Sequence, residues 1–440
     1  MKKPSISVIG LGFVGLSLAV VNAKKGFDTV AIEKNNDRLE KISSGNPDFY
    51  EPKLKSYLLH AIKAKKITFT DDLNQVLKTD ITFLTVGTPP SKKGEIDLSQ
   101  IKKVTAELAR ILKKKKSRHL IVIKSTVIPG TTQNIILKKF KNLKIANIVT
   151  NPEFLREGNA INDLVNPHLI VIGENTKKGG DFLERYYRIF YKKLPEILRT
   201  NLTTAELIKY ANNAFLATKI SFINSVANLC QNITGADVNT VAYAIGKDSR
   251  IGPLFLKAGP GFGGSCLPKD LSAFIKFSEK FKDTDILLKA VKEVNQSQPF
   301  RILEIMKQMK VLGERKTISI LGLAFKKDTD DIREAVSVKL VRELIKKHLI
   351  IKVHDPMAIN NFKSIFGNKI SYHNTIASCL KNAACCILLT EWDQYQKLEP
   401  NDFKINMKTP NIIDARRILE PTKFSKLNFK AIGLGNGVSG

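Results

Sequence analysis

The sequence has few cysteines, no long apolar run and far fewer acidic than basic residues. Its 5 cysteines in 440 residues have neither the paired spacing of a disulfide framework nor that of a zinc site, so we expect no disulfides and no metal. No segment approaches the length of uninterrupted apolar sequence that a membrane span needs, and the N-terminus has no signal-peptide pattern. We therefore predict no membrane association and expect a cytoplasmic protein.

The shortage of acidic residues gives the chain a large positive charge. It has 41 Asp and Glu against 71 Lys and Arg, a net charge of +30. Such a charge attracts polyanions, and nucleic acid is one candidate because counterion release favours its binding. The lysines are spread along the whole chain, however, and no nucleic-acid-binding signature accompanies the basic run at residues 113–116. We interpret the charge as a solvated surface that steers small anionic ligands, and we predict no specific nucleic-acid partner.

An apolar run near the N-terminus leads into a glycine motif and then into a helical pattern. The motif reads Gly10, Leu11, Gly12, Phe13, Val14 and Gly15. Its glycines allow a tight turn, close approach of a pyrophosphate and close packing of a helix on a strand. A second apolar run ends at Glu33, about twenty residues on, where a carboxylate binds a ribose hydroxyl and repels a 2′-phosphate. The pattern predicts an NAD site with NAD preferred over NADP, and the nearby Arg38 is the one residue that could instead accommodate a 2′-phosphate.

Short apolar segments alternate with amphipathic ones through the first part of the chain. The predicted strands cover residues 6–9, 29–32, 67–69, 81–86, 120–123 and 145–149. This alternation predicts a parallel doubly wound sheet. The loops that contain Thr88 and Thr126 follow two of these strands, at the carboxyl ends where open α/β sheets bind ligands.

The second part of the chain begins with a long helical pattern and then returns to α/β alternation. Residues 203–227 have helical periodicity without glycine or proline. A strand and glycine turn at 317–323 repeat the N-terminal arrangement, but Ala324 replaces the second glycine of the motif. The predicted fold class is therefore α/β, with two Rossmann-like doubly wound domains joined by a long central helix. The second of these resembles a nucleotide site that is not another NAD site.

Between the long helical segment and the strand at 317–323 lies a turn that contains the groups a covalent catalyst needs. Residues 259–270 place Cys266 among glycines, with Lys269 and Asp270 just beyond it. Glycines allow close approach of a ligand, and a nearby ammonium favours the thiolate, which is the nucleophilic form. The alternative is a buried, inert cysteine in a tight turn.

Two further pairs have helical spacing. Lys209 and Asn213 lie one turn apart on the long helix, where an ammonium and an amide can hold an oxyanion. Glu153 and Glu157 have the same spacing in the segment 151–158 and could position a water molecule or meet the cofactor. The alternatives are ordinary surface residues for the first pair and helix caps for the second.

Together these segments resemble the UDP-glucose/GDP-mannose dehydrogenase family, whose members are nucleotide-sugar 6-dehydrogenases. The likeness runs through nearly the whole chain and is most specific around Cys266; it also includes VGTPP, KSTVIPGTT, NPEFLREG and LGLAFKKDTDDIRE. It implies an NAD-binding domain at 1–200, a central helical dimerisation domain with the catalytic cysteine at 201–310, and a UDP-sugar-binding domain at 311–440. It also implies a homodimer.

The resemblance implies a role for individual residues. The catalytic set would be Cys266, Lys209, Asn213, Asp270, Thr126 and Glu153. NAD would be held by Gly10, Gly12, Phe13, Val14, Gly15, Glu33, Arg38, Thr88, Thr126, Glu157, Lys269 and Arg333. The nucleotide sugar would contact Glu153, Phe154, Leu155, Arg156, Glu157, Lys209, Asn213, Arg250, Phe255, Leu256, Lys257, Ala258, Gly259, Gly263 and Lys326. Of these, Arg250 would reach the sugar bound to the partner subunit.

The activity that the resemblance implies is NAD-dependent oxidation of UDP-glucose at C6 to UDP-glucuronate. Two NAD would be reduced per product, with a thiohemiacetal and then a thioester on Cys266. The same chemistry on a UDP-N-acetylhexosamine or on GDP-mannose is the alternative. A hydroxyacid dehydrogenase would share the glycine motif and the Lys209–Asn213 helix but would need no thiol. A non-catalytic NAD-binding regulator would have no use for the catalytic set.

Overall fold

The structure is a computed structural model that describes residues 2–91, 94–282 and 284–435. The chain divides into two compact units, Met1–Asn212 and Asn213–Gly440. No helix within the described residues combines the length and the apolar character needed to cross a membrane. The three-domain division at residues 200 and 310 stays a prediction.

The first unit is built on an eight-stranded sheet. Its strands are β1 (Ile6–Ile9), β2 (Thr29–Ile32), β3 (Ile67–Thr70), β4 (Ile81–Leu84), β5 (His119–Ile123), β6 (Ala146–Thr150), β7 (Ile170–Glu174) and β8 (Ile197–Asn201). The order is β3-β2-β1-β4-β5-β6-β7-β8. The first six strands are parallel and have the 3-2-1-4-5-6 order of a dinucleotide-binding sheet, which confirms the predicted fold class. The sequence analysis did not predict β7 and β8, and β7 pairs with β6 in antiparallel orientation.

Seven α-helices of the described residues accompany the strands of this sheet. The α-helices are α1 (Phe13–Lys24), α2 (Asn36–Ser43), α3 (Leu54–Lys63), α4 (Ser99–Leu112), α5 (Leu137–Phe140), α6 (Ala160–Val165) and α7 (Lys177–Phe190). Helix α1 begins directly after Gly12, and its residues 15–23 are all buried. An apolar helix of this kind belongs in the core, which fixes its N-terminus beside the carboxyl end of β1.

The long helix α8 (Leu202–Cys230) extends the predicted segment by one residue at its start and three at its end. It carries Lys209 and Asn213 four positions apart. The boundary between the two units falls between Asn212 and Asn213, so the helix contributes residues to both.

The second unit contains a six-stranded sheet in which all neighbours are parallel. Its strands are β9 (Thr317–Leu321), β10 (Ile350–His354), β11 (Ser371–Tyr372), β12 (Cys385–Leu388), β13 (Asn411–Asp414) and β14 (Asn428–Ala431). The order β11-β10-β9-β12-β13-β14 repeats the 3-2-1-4-5-6 order of the first sheet. The prediction of a second Rossmann-like sheet is confirmed.

The other helices of this unit precede the sheet or alternate with its strands. They are α9 (Val238–Gly246), α10 (Leu267–Ser278), α11 (Ile286–Gln308), α12 (Val336–Lys346), α13 (Ile359–Phe366), α14 (Ile376–Leu380), α15 (Asp393–Gln396) and α16 (Pro400–Asn406). Residues 259–265 have no regular secondary structure and lead directly into α10.

Candidate active site

The glycine motif after β1 forms a cradle at the N-terminus of α1. Gly10 has φ +89°, and a Cβ there would lie 2.9 Å from Cα of Val86. A Cβ on Gly15 would collide with the carbonyl oxygen of Gly10. A Cβ on Gly12, in contrast, would meet no atom within 4 Å. The outer glycines are therefore needed for packing, and the middle one leaves the backbone accessible, as a pyrophosphate at this helix terminus requires. Phe13 and Val14 are the first residues of α1 and are half-buried.

Glu33 lies directly beside this cradle. One of its carboxylate oxygens accepts a hydrogen bond from the Leu11 amide at 2.9 Å, and the other accepts from the Lys34 and Asn35 amides. Arg38 is engaged by two carboxylates: its Nε lies 2.7 Å from Asp48, and Nη1 lies 3.9 Å from Glu33. A guanidinium so neutralised is poorly suited to hold a 2′-phosphate. The geometry fits NAD, which would place its ribose hydroxyls against Glu33.

We expect Glu33→Ala to narrow the preference for NAD over NADP. Loss of a charged hydrogen-bond partner costs about 1.5–3 kcal/mol, so kcat/KM with NAD should fall about 10–100-fold, while NADP should gain from removal of the repelling charge. Steady-state kinetics with both cofactors measure the effect, and Glu40→Ala, which removes an exposed carboxylate on α2, is the matched control. Equal use of NAD and NADP by the unaltered protein would contradict the assignment.

The loops after β4 and β5 are joined by hydrogen bonds. The Thr88 hydroxyl donates to the carbonyl oxygen of Thr126 at 2.8 Å, and the Ser125 hydroxyl donates to the carbonyl oxygen of Val86 at 2.7 Å. The structure therefore brings Thr88 and Thr126 together beside the glycine cradle. This proximity follows from the parallel pairing of β4 with its neighbours β1 and β5.

A buried ion pair lies at the carboxyl end of the same sheet. Nζ of Lys209 is 3.0 Å from Oε1 of Glu153, with 5% and 7% of the two side chains exposed. The Leu155 amide donates to the other carboxylate oxygen at 2.6 Å. Burial raises the pKa of Glu153, but Lys209, the Leu155 amide and nearby Lys124 outweigh it, so the pKa lies below its usual range. Glu153 is thus a buried carboxylate that stays ionised, as a group that holds or activates water must be.

The remaining predicted residues of segment 151–158 surround this pair less closely. Nζ of Lys209 lies 5.5 Å from the centroid of the Phe154 ring. Arg156 is largely exposed and paired with Asp163, whereas Glu157 is buried.

Sequence reasoning missed Lys124, which belongs to the same cluster. It follows β5 directly, is buried, and donates through Nζ to Oδ1 of Asn151 at 2.9 Å. Burial lowers its pKa to about 8, with Lys209 adding to the effect and Glu153 opposing it. A lysine immediately after the wholly apolar segment 120–123, in a loop already identified as a ligand loop, was the available signal.

Glu206 was also missed. It precedes Lys209 on α8 and accepts hydrogen bonds from the amides of Gly130 at 2.6 Å and Thr132 at 2.8 Å. Burial raises the pKa of this carboxyl to about 7, against the opposing effect of these hydrogen bonds. Glu206 therefore ties the start of α8 to the far end of the loop that contains Thr126.

Cys266, in the second unit, occupies the N-cap position of α10. It is partly exposed, whereas the other four cysteines are buried. Burial raises the pKa of Cys379 and Cys385 to about 12, which makes those thiols inert at neutral pH. The N-terminus of a helix favours a thiolate. Cys266 is therefore not buried as the other cysteines are, and its role as the nucleophile stays a prediction.

Asp270, in the first turn of α10, accepts hydrogen bonds from two of the other predicted residues. Nδ2 of Asn213 donates to its Oδ2 at 2.6 Å, and Nζ of Lys269 donates to its Oδ1 at 2.7 Å. Asp270 is 2% exposed. The orientation of the Asn213 amide is therefore set by a buried carboxylate.

The predicted nucleotide-sugar segment in this unit is held by residues from several elements. Phe255 has a left-handed backbone with φ 64°, Leu256 and Ala258 are buried, and Lys257 is exposed. The Gly259 amide donates to Oδ1 of Asn224 on α8 at 2.8 Å.

Arg416 connects this segment to the loop with Lys326 and was not predicted. A Cβ on Gly259 would lie 3.3 Å from Nη1 of Arg416, and Nη2 donates to the carbonyl oxygen of Phe325 at 2.6 Å. Lys326 lies with its Nζ 5.6 Å from the Phe325 ring centroid. The signal in the sequence was a pair of arginines just beyond a strand of the second sheet, at its carboxyl end. Gly263 packs against the carbonyl oxygen of Glu334, where a Cβ would lie 2.7 Å away.

Two predicted arginines lie on the surface of this unit. Arg250 is 87% exposed and paired with Asp248, and Arg333 is 65% exposed and paired with Asp331. Their roles toward a partner subunit's sugar and toward NAD stay predictions.

A glycine cradle of this kind, at the N-terminus of the first helix of a parallel sheet, is typical of an NAD-dependent dehydrogenase. The chain matches three domain models of one family in order: the NAD binding domain over residues 4–191, the central domain over 203–297 and the UDP binding domain over 319–421. The protein belongs to the UDP-glucose/GDP-mannose dehydrogenase family. The resemblance inferred from the motifs is confirmed.

Individual relatives are similar over nearly their whole length. The chain is 38% identical to UDP-glucose 6-dehydrogenase TuaD of Bacillus subtilis strain 168, over 98% of this chain and 93% of the relative. The structure of a UDP-glucose dehydrogenase from Pyrobaculum islandicum has TM-score 0.89 and 35% identity, covering 100% of this chain and 98% of that one. A UDP-D-ManNAc dehydrogenase from Pyrococcus horikoshii has TM-score 0.84 and 25% identity, covering 98% and 99%.

Proposed function

We propose that this protein oxidises UDP-glucose at C6 to UDP-glucuronate and reduces two NAD for each product. The observation that carries the proposal is the state of Cys266, a partly exposed thiol at the start of α10 in a chain whose other thiols are buried. The names and identities of the relatives support UDP-glucose as the substrate.

The chemistry explains why a thiol is needed. NAD, when bound, accepts a hydride from C6 in each of two oxidations. The first turns the primary alcohol into an aldehyde and releases a proton. The Cys266 thiolate then adds to the aldehyde carbon, and the carbonyl oxygen takes up a proton to give a thiohemiacetal. Loss of a second hydride and a proton leaves a thioester, and water displaces the thiolate to give the carboxylate.

The other predicted residues act on oxygen atoms. Lys209 and Asn213 donate hydrogen bonds to the C6 oxygen as negative charge develops on it. Glu153 and Asp270 are buried carboxylates that orient the hydrolytic water, with Thr126 in support.

A homodimer is part of the proposal. Phe215, Phe222 and Leu229 follow one another at intervals of seven residues along α8, and each is more than half exposed. Side chains at this spacing lie on one side of a helix, and an apolar stripe of this kind marks an interaction surface. The exposed Arg250 side chain can extend toward a neighbouring subunit, which is the role that the family resemblance implies. A cytoplasmic location stays a prediction.

The test is an assay of NADH formation by the purified protein with UDP-glucose, UDP-N-acetylglucosamine, UDP-N-acetylmannosamine and GDP-mannose. We expect UDP-glucose to give the highest kcat/KM and two NADH for each uronate. A higher kcat/KM with another nucleotide sugar of the panel would identify that compound as the substrate instead. One NADH per product would select simple alcohol oxidation and remove the thioester pathway.

A further inference from the structure

The side chain of an asparagine on α11 forms hydrogen bonds to the main-chain amide and carbonyl of one residue in the loop that precedes Cys266. Residues 259–265 are called here the thiol loop. Oδ1 of Asn295 accepts from the Phe262 amide at 2.7 Å, and Nδ2 donates to the Phe262 carbonyl at 3.0 Å. A side-chain amide has one acceptor and one donor side, so it pairs with a single residue as a neighbouring strand would. Phe262 thus has sheet-like partners in a loop that has no strand.

The conformation of the loop is adapted to this contact. Gly261 has φ +108°, which L side chains rarely adopt, and a Cβ there would lie 2.8 Å from Oδ1 of Asn295. Only a glycine leaves room for the asparagine at this point. The hydrogen bonds of Asn295 to Phe262 therefore depend on the glycine at position 261.

Two further contacts hold the ends of the loop. The Gly259 amide donates to Oδ1 of Asn224 at 2.8 Å, and the Gly264 amide donates to the carbonyl oxygen of Arg333 at 2.8 Å. A glycine-rich segment loses more conformational entropy on ordering than others, so its shape depends on such anchors. Asn295 is the anchor at the middle of the loop, and its partner Phe262 stands four residues before Cys266 in the sequence.

We propose that Asn295 is a positioning residue for Cys266: its paired hydrogen bonds to Phe262 fix the thiol loop and thereby the place of the thiol at the start of α10. This inference rests on the proposed role of Cys266 as nucleophile. A displacement of about 1 Å at a reacting group costs on the order of 100-fold in rate. Asn224 holds the end of the loop next to the nucleotide-sugar segment, so its loss should affect KM more than kcat, whereas loss of Asn295 should act mainly on kcat.

The test compares Asn295→Ala with the unaltered protein in two measurements. The first is the rate of Cys266 alkylation by iodoacetamide as a function of pH, which is specific because the other four thiols are buried. The second is kcat and KM with UDP-glucose. We expect the alkylation rate at neutral pH to change at least about threefold and kcat to fall about 10–100-fold, with KM for NAD within about twofold.

Gly261→Ala provides an independent variant, because it pushes the loop away from Asn295 without altering the amide. It should reproduce both effects, and the double variant should lose less than the product of the single losses. Asn411→Ala is the matched control: its Nδ2 donates to the carbonyl oxygen of Ala384 at 2.7 Å in the second sheet. That variant should keep wild-type alkylation and kcat.

Alkylation of Cys266 does not depend on the substrate, so it tests the positioning role even if none of the nucleotide sugars is oxidised. Wild-type alkylation profiles in both Asn295→Ala and Gly261→Ala would overturn the proposal. If Asn295→Ala does not fold, the profile of Gly261→Ala decides in the same way.

Discussion

Cys266→Ser should abolish net formation of the uronate while leaving NAD and the nucleotide sugar bound with unchanged affinity. A serine hydroxyl at neutral pH is a far weaker nucleophile than a cysteine thiolate, so the aldehyde should not be captured and no thioester should form. Removal of a covalent nucleophile in other enzymes costs many orders of magnitude, and we expect a loss of at least about 1,000-fold in steady-state turnover.

The first hydride transfer needs no thiol, so the variant should still carry out this step. Cys266→Ser should still form up to one NADH per active site in a single turnover and then stop, whereas the unaltered protein continues with two NADH per product. Rapid-mixing absorbance at the NADH band separates these outcomes. Cys230→Ala removes a buried thiol from the end of α8 and should keep turnover. Sustained turnover to uronate by Cys266→Ser would exclude the covalent pathway.

The parts of the site that the sequence predicted are those where one residue type is required by local geometry. Gly10 needs its positive φ, and Gly15 needs the absence of a side chain against the Gly10 carbonyl. Glu33 follows from the spacing between the first two strands of a dinucleotide-binding unit. Each of these requirements is visible within about thirty residues of sequence.

The parts that were missed depend on contacts between distant segments. Lys124 and Arg416 belong to a set of 71 basic residues, and a position just beyond a strand does not by itself distinguish a basic side chain in the site from a solvated one. Glu206 acquires its role only because α8 passes Gly130 and Thr132. A single sequence does not reveal such pairings.

The two missed strands have a similar explanation. β8 is half-exposed and ends in polar residues, so its pattern lacks the continuous apolar run of a buried strand. β7 has such a run but pairs antiparallel with β6, and the alternation that predicted the first six strands carries no information on a reversal. The strand order 3-2-1-4-5-6 in both sheets was, in contrast, implied by the fold class itself.

Lys209→Ala should lower kcat strongly and change KM little, because its ammonium is proposed to stabilise an oxygen that becomes negative only in the transition state. Loss of one such donor costs about 2.7–4 kcal/mol, or 100- to 1,000-fold in kcat. Asn213 is proposed to donate to the same oxygen from the next turn of α8. The double variant Lys209→Ala/Asn213→Ala should therefore lose less than the two single losses combined.

The ion pair with Glu153 adds a pH dependence to this result. Burial raises the pKa of Glu153, and Lys209 is the largest of the groups that oppose it. Without the ammonium, the pKa of Glu153 should rise, so that this carboxyl becomes protonated over a range of pH in which the unaltered protein keeps it ionised. The acidic limb of the kcat profile of Lys209→Ala should therefore move to higher pH.

Glu153→Gln separates the two contributions of Lys209. In that background the side chain at position 153 carries no charge at any pH, so removal of Lys209 can no longer act by changing its ionisation. A further loss of about 100-fold on going from Glu153→Gln to the double variant would assign the ammonium to the oxyanion. A donor to the transition state must lower kcat whether or not the Glu153 carboxylate is present. If Lys209→Ala raised KM alone, Lys209 would act by binding the sugar. If it had no further effect on kcat in the Glu153→Gln background, Lys209 would act by keeping Glu153 ionised.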